Sequence, residues 1–199
     1  MRPPRNQTLI LDYVCAVGDS YEILTVAGGG TLEHLTVGLG WDPARPKWFG
    51  RSMEIDLNVA ALIFSADRLV DVVYHEQLSS ADGAIRHGGD SLTGEGPGDD
   101  EVIGIDLTRL APHVTAVVLL VTCYTGQKLD EVENAFCRLV NGASGTEVKR
   151  YELSDLPYPG LVVGVLFRDA DTWGFREIAA GIAARHPVEA APLLGPYLQ

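Results

Sequence analysis

The sequence predicts a mainly β protein: a β-sandwich of two sheets with short helical elements and a helical C-terminal tail. Three observations carry this. Short β-branched and aromatic runs recur along the chain, Gly, Pro, Asn and Asp clusters separate them, and sustained helical periodicity is scarce. Many short strands with turns between them suggest a β-sandwich.

The strands are expected at residues 21–26, 32–39, 53–64, 69–74, 102–106, 114–122, 135–141, 147–153, 161–168 and 173–178. Residues 117–121 are apolar throughout, as suits a central strand buried on both faces. Asn141-Gly142-Ala143-Ser144-Gly145 joins two runs and signals a hairpin. Residues 130–135 suit one helical turn. The Ala-rich stretch 178–194 is the best helix candidate, although Pro187 and Pro192 cut it. We read a single domain: an N-terminal extension at 1–26, the sandwich at 27–183 and a tail at 184–199.

The chain has 199 residues, 46% hydrophobic and 21% charged, enough to bury a core without disulfide or metal props. Its 15 basic and 27 acidic side chains give a net charge of −12. That balance argues against nucleic acid, which needs clustered Lys and Arg, and against direct contact with anionic lipid. Acidity favours solubility and, where carboxylates cluster, cations. Three cysteines without a CxxC pair, no signal-peptide apolar region and no long apolar run predict a cytoplasmic protein with no direct membrane insertion.

The most unusual stretch runs from Asp82 to Asp106. It holds seven acids against Arg86 alone, together with Gly83, Gly88, Gly89, Gly94, Gly96 and Gly98. Glycines let a chain turn its carbonyls inward, and calcium takes six to eight oxygens from carboxylates and carbonyls. Crowding Asp99-Asp100-Glu101 is also costly: two unit charges about 4 Å apart repel by roughly 4 kcal/mol at an effective dielectric of 20. A divalent ion removes that cost; water and salt around a solvated loop also reduce it.

The loop is not an EF-hand, because Glu95 stands where the glycine is required. Nor is it a P-loop, since the lysine is missing. A second acidic element is Glu54-Ile55-Asp56-Leu57-Asn58. Asp56 and Asn58 sit two apart on an expected strand, so both project from one face. Asp42, in Gly40-Trp41-Asp42-Pro43, is a third candidate, or simply a turn residue. No HExxH, no zinc spacing of Cys and His and no GxSxG elbow is present. His75-Glu76 and His87 offer side chains for a zinc or hydrolase site, although five scattered histidines more often sit on the surface or in the core. Cys123 and Cys137 fall in apolar strands and read as buried and inert.

Several segments, in order and spacing, resemble the tellurium-resistance TerD family. They are Gly38-Leu39-Gly40-Trp41-Asp42, Ile55-Asp56-Leu57-Asn58-Val59-Ala60-Ala61, and the string His87-Gly88-Gly89-Asp90-Ser91-Leu92-Thr93-Gly94-Glu95-Gly96-Pro97-Gly98-Asp99-Asp100-Glu101. Arg150-Tyr151-Glu152-Leu153 and Trp173-Gly174-Phe175 look like the family's later strands, and the likeness spans roughly residues 27 to 183. The resemblance implies a calcium-binding β-sandwich, associated with stress resistance and working with companion proteins in a membrane-associated complex, not an enzyme. By matching positions it implies Asp56, Asp90, Asp99, Asp100 and Glu101 as calcium ligands, with Gly89, Thr93 and Gly98 supplying shape or carbonyls. The family's Asp-x-Asp is here Asp56-Leu57-Asn58, one charge fewer. Two other roles remain open: a calcium-dependent membrane-associated adaptor and a metal-dependent hydrolase.

Overall fold

The computed structural model describes residues 22–23, 31–43, 54–89, 91, 94 and 98–199. Its strands are β1 (Glu22–Ile23), β2 (His34–Gly40), β3 (Leu57–Ser65), β4 (Arg68–Val73), β5 (Ile85–His87), β6 (Glu101–Asp106), β7 (Ala116–Cys123), β8 (Phe136–Asn141), β9 (Glu147–Glu152), β10 (Gly160–Asp169) and β11 (Thr172–Ile182). Every pairing is antiparallel. One sheet runs β1-β11-β10-β7-β3-β4 and the other β5-β6-β2-β8-β9. This is the expected two-sheet sandwich.

Its layers follow from side-chain alternation. Leu57, Val59, Ala61 and Ile63 of β3 face the second sheet and join Leu35, Val37 and Leu39 of β2 in the main core. Ala60, Leu62 and Phe64 face the other way, with Val118 and Leu120 of β7, into a second core closed by Ala190 and Leu194 of the C-terminal tail. Strands β3 and β7 are therefore covered on both sides, and this is why β7 is apolar without alternation.

The tail is only partly helical. Residues 178–182 continue β11, since Gly160 pairs with Ile182 and Leu161 with Gly181. Cross-strand hydrogen bonding there overrides the helix propensity of an Ala-rich run. A single α-helix, α1 (Pro187–Ala190), and two 3-10 turns follow. His186 caps α1, its ring accepting from the Val188 N–H at 3.2 Å. The turn expected at 130–135 is a 3-10 turn at Leu129–Glu131.

The 141–145 hairpin joins β8 to β9 as the sequence suggests. Asn141 Oδ1 accepts from the N–H groups of Ala143 (2.9 Å) and Ser144 (3.2 Å), and Gly145 takes a φ of 71°. Strand β5, only three residues long, is not foreshadowed by any run in the sequence. It matters because β5 and β6 are antiparallel neighbours, with His87 opposite Ile103 and the Gly88 N–H donating to Val102. The acidic stretch between them is thus the loop of a long hairpin.

Candidate cation site

The three acids that end this loop part company at the start of β6. Alternation along β6 sends Glu101 inward with Ile103 and Ile105, whereas Asp99 precedes the strand and is set on the outer face of the sheet by its place over Gly38 of β2. Glu101 is 1% exposed, and its Oε2 accepts from the Val59 N–H at 2.8 Å. This contact ties the loop stem to the start of β3, beyond the point where β4 stops pairing with it. The equally buried His87 places Nε2 3.4 Å from the same carboxylate, while its Nδ1 accepts from the Gly89 N–H at 3.1 Å. In the neutral ring the proton is then on Nε2, which lies beside the Glu101 carboxylate without a hydrogen bond among the described residues.

Asp99 lies over Gly38 of β2, where any Cβ would overlap its carboxylate. Arg138 of β8, directly opposite Gly38, grips that carboxylate with two bonds, Nε to Oδ1 at 2.7 Å and Nη2 to Oδ2 at 3.0 Å. The Arg138 side chain also reaches Glu147 at 3.3 Å. Much of the repulsion expected within 99–101 is therefore relieved by the protein itself. The counter-charge comes from a strand 39 residues away, not from Arg86.

Asp100 is placed differently. Its N–H donates to the Leu39 carbonyl at 2.8 Å, and its Oδ2 accepts from the Trp41 N–H at 2.9 Å. Burial pushes its carboxyl above the usual range against the Trp41 hydrogen bond, and the negative charges of Asp99 and Asp42 push the same way. Asp42 follows Trp41 and is oriented by Asn134, whose Nδ2 donates to Oδ2 at 2.5 Å. Gly94, at φ 64°, packs where a Cβ would come within 2.6 Å of Trp41 Nε1. Trp41, Asp42, Gly98, Asn134, Phe136, Arg150 and Glu152 line an open cleft of about 290 Å3 beside these carboxylates.

Trp41 also joins the loop to the second acidic element, its Nε1 donating to the Ile55 carbonyl at 3.2 Å. Asp56 and Asn58 lie between this tie and the Val59–Glu101 tie. They share a face as expected, Asn58 Nδ2 donating to Asp56 Oδ1 at 2.7 Å. Asn58 is 1% exposed and its Oδ1 has no hydrogen-bond partner among the described residues. A buried amide oxygen left without a donor is costly, and a bound cation would satisfy it. By strand alternation Asn58 sits on the face of β3 that carries Ala60, opposite Thr122 of β7.

The structure therefore brings Asp42 and Asp100 together and fastens Asp99 and Glu101 to their own partners. It sets Asp56 and Asn58 on the adjoining strand start. Asp90 and Thr93 lie outside the described residues, whereas Gly89 and Gly98 take positive φ values of 124° and 107°. The side chains offered, Asp42, Asp56, Asn58 and Asp100, present only oxygens as ligands, three of the four from carboxylates, which suits a hard cation such as calcium. Sequence reasoning considered His87 only as a zinc or hydrolase residue, not as the neighbour of Glu101, and it missed Arg138 as the partner of Asp99. His87 was visible as the residue opening the glycine string; Arg138 left no local signal.

Comparison with known proteins decides the family. A family model described as "TerD domain" matches residues 23–185. The chain belongs to the TerD family. This TerD chain is 40% identical over 161 residues to "Tellurium resistance protein TerZ" of Serratia marcescens, covering 77% of this chain and 82% of that protein. It is 32% identical over 171 residues to "Stress response protein SCP2" of Bacillus subtilis strain 168, covering 77% and 85%. A crystal structure of a homologue of telluride resistance protein (TerD) from Streptomyces coelicolor superposes with a TM-score of 0.72 at 28% identity, over 82% of this chain and 98% of that one. The TerD fold and the tellurium-resistance and stress-response family are thus established for this chain. Among the described residues, no helix is long and apolar enough to cross a membrane. Cys123 and Cys137 are free and buried; burial, helped by the charge of Asp99, pushes the Cys137 thiol up to about 12.

Proposed function

We propose that this TerD chain is a calcium-binding, non-enzymatic module of the stress response, working in the cytoplasm with companion proteins of a membrane-associated complex. The observation that carries the reading is Asp100. It is held by Trp41 between the negative charges of Asp99 and Asp42, with its carboxyl raised and no side-chain cation beside it among the described residues. A divalent ion shared by Asp100 and Asp42 would neutralise that charge, with Asp56 and Asn58 at the start of the neighbouring strand as further candidate donors. The ion would then fix the glycine-rich loop against Trp41 and shape the adjoining cleft for a partner. Asp99 and Glu101 support this arrangement by anchoring the loop to β8 and β3.

The test is calorimetric titration of chelator-treated protein with calcium and then with magnesium, which demands a smaller octahedral shell. Calcium at a hundredfold excess over its Kd should stabilise the fold by about 2.7 kcal/mol. For a chain of this size, that raises Tm on the order of 5–10 °C. Asp100→Asn should abolish most of the rise. A Tm indifferent to millimolar calcium would sink the proposal.

A further inference from the structure

A different donor set lies at the end of the six-stranded sheet where β4, β7 and β11 finish. We propose that His75, Glu76 and His186 bind a divalent first-row transition metal at a site built from none of the residues assigned to calcium. One ligand atom from each of the three comes within 4.8 Å of the other two, and among the described residues this is the group of metal-ligating side chains gathered so closely. Two imidazole nitrogens and one carboxylate oxygen suit zinc, cobalt, nickel or copper, and are poor partners for calcium.

The local structure holds these groups in place. His75 and Glu76 occupy a tight turn closed by reciprocal backbone bonds, Tyr74 N–H to Gln77 O at 3.1 Å and Gln77 N–H to Tyr74 O at 3.0 Å. The Tyr74 hydroxyl donates to Glu76 Oε2 at 2.8 Å, which orients the carboxylate as an outer partner orients a metal ligand. His186 arrives from the far end of the chain, and its ring stands edge-on to Tyr74 with centroids 5.2 Å apart. The rings of His75 and His186 are 6.2 Å apart, and Tyr124, 54% exposed, flanks both. The group is therefore reachable from solvent.

Two observations distinguish this group from mere aromatic packing. His75 Nδ1 is buried and has no hydrogen-bond partner among the described residues, an expensive state for a ring nitrogen unless something occupies its lone pair or takes its proton. His186 Nδ1, in contrast, accepts from the Val188 N–H. In the neutral ring its proton is then on Nε2, so metal capture by His186 must exchange that cap contact for a metal bond. The site thus couples metal binding to the start of the C-terminal tail. Three protein ligands also leave at least one coordination position open for water or a partner's side chain.

The experiment uses the full chain, stripped with chelator and then saturated with calcium, titrated with zinc by calorimetry and with cobalt by visible absorption. We expect one zinc per chain and cobalt bands typical of nitrogen and oxygen ligands. His75→Gln and His186→Gln should each weaken zinc binding about tenfold or more. His75→Phe, which keeps a ring for the edge-on packing but has no nitrogen, should do the same while circular dichroism stays unchanged. Asp100→Asn should leave zinc affinity alone. Absence of zinc binding, or affinity that survives all three histidine variants, would overturn the proposal. So would zinc affinity lost with Asp100→Asn, which would assign the zinc to the carboxylate site instead.

Discussion

Asn58 Nδ2 donates to Asp56 while its buried Oδ1 meets no donor among the described residues, so this one side chain is both anchored and incomplete. Replacing it by aspartate turns the hydrogen bond into a pair of facing carboxylates. We expect Asn58→Asp to destabilise the metal-free protein by about 2–3 kcal/mol, from the lost bond and the new repulsion. If the pair helps to hold calcium, the added charge should tighten binding roughly tenfold, about 1.4 kcal/mol. Melting curves with chelator and with calcium separate the two effects. Equal dissociation constants for the two proteins would leave Asn58 as a structural residue. At this scale the sequence was legible in part. Shared facing of residues 56 and 58 follows from the two-residue period of a strand. That the Asn58 amide would be wholly buried does not, because burial depends on what covers the strand.

Strand β2 explains why the acidic loop sits where it does. Gly38 and Gly40 alternate onto one face and leave it bare, so the loop can lie against the backbone. The Asp99 carboxylate fills the space over Gly38, while Gly98 O and the Phe136 ring crowd Gly40 so closely that a Cβ would lie within about 2.5–2.6 Å of each. Gly38→Ala should therefore displace Asp99 and break its two bonds to Arg138. The expected cost is about 1–3 kcal/mol, read as a lower urea midpoint with unchanged slope. Should the midpoint stay put, Asp99 is not locked as described. The hairpin at residues 141–145 was readable because its signal is local. Strand β5 was not, because three residues carry no periodicity and pair only once β6 is alongside.

For the whole molecule, the decisive feature is that the larger sheet has cores on both faces. The tail closes the second one with Ala190 and Leu194, and Arg176 braces it by donating to the backbone oxygens of Tyr197 and Gln199. Leu194→Ala should cost about 2–4 kcal/mol, the usual range for emptying a buried leucine site. Deleting residues 188–199 should cost more and expose the face that carries Leu62, Phe64 and Leu120. That exposure is measurable as increased binding of a hydrophobic dye and a tendency to associate. A truncated chain with the stability of the full one would show that the tail is ornamental.

The sequence by itself determined the fold class, most strands, the hairpin turn and the acidic glycine-rich segment, because each is written in neighbouring residues. Alternation, turn chemistry and charge density are local quantities. Only the tertiary structure decided which acid has which partner. Arg138 neutralises Asp99 from another strand, Glu101 turns inward to Val59 and His87, and Asp100 is left facing Asp42 across Trp41. It also decided that residues 178–182 are strand, and that His186 meets His75 and Glu76 across more than a hundred residues of chain. Those outcomes depend on long-range pairing, and a charge or a ring nitrogen in sequence says nothing of what will stand opposite it when the sheets close.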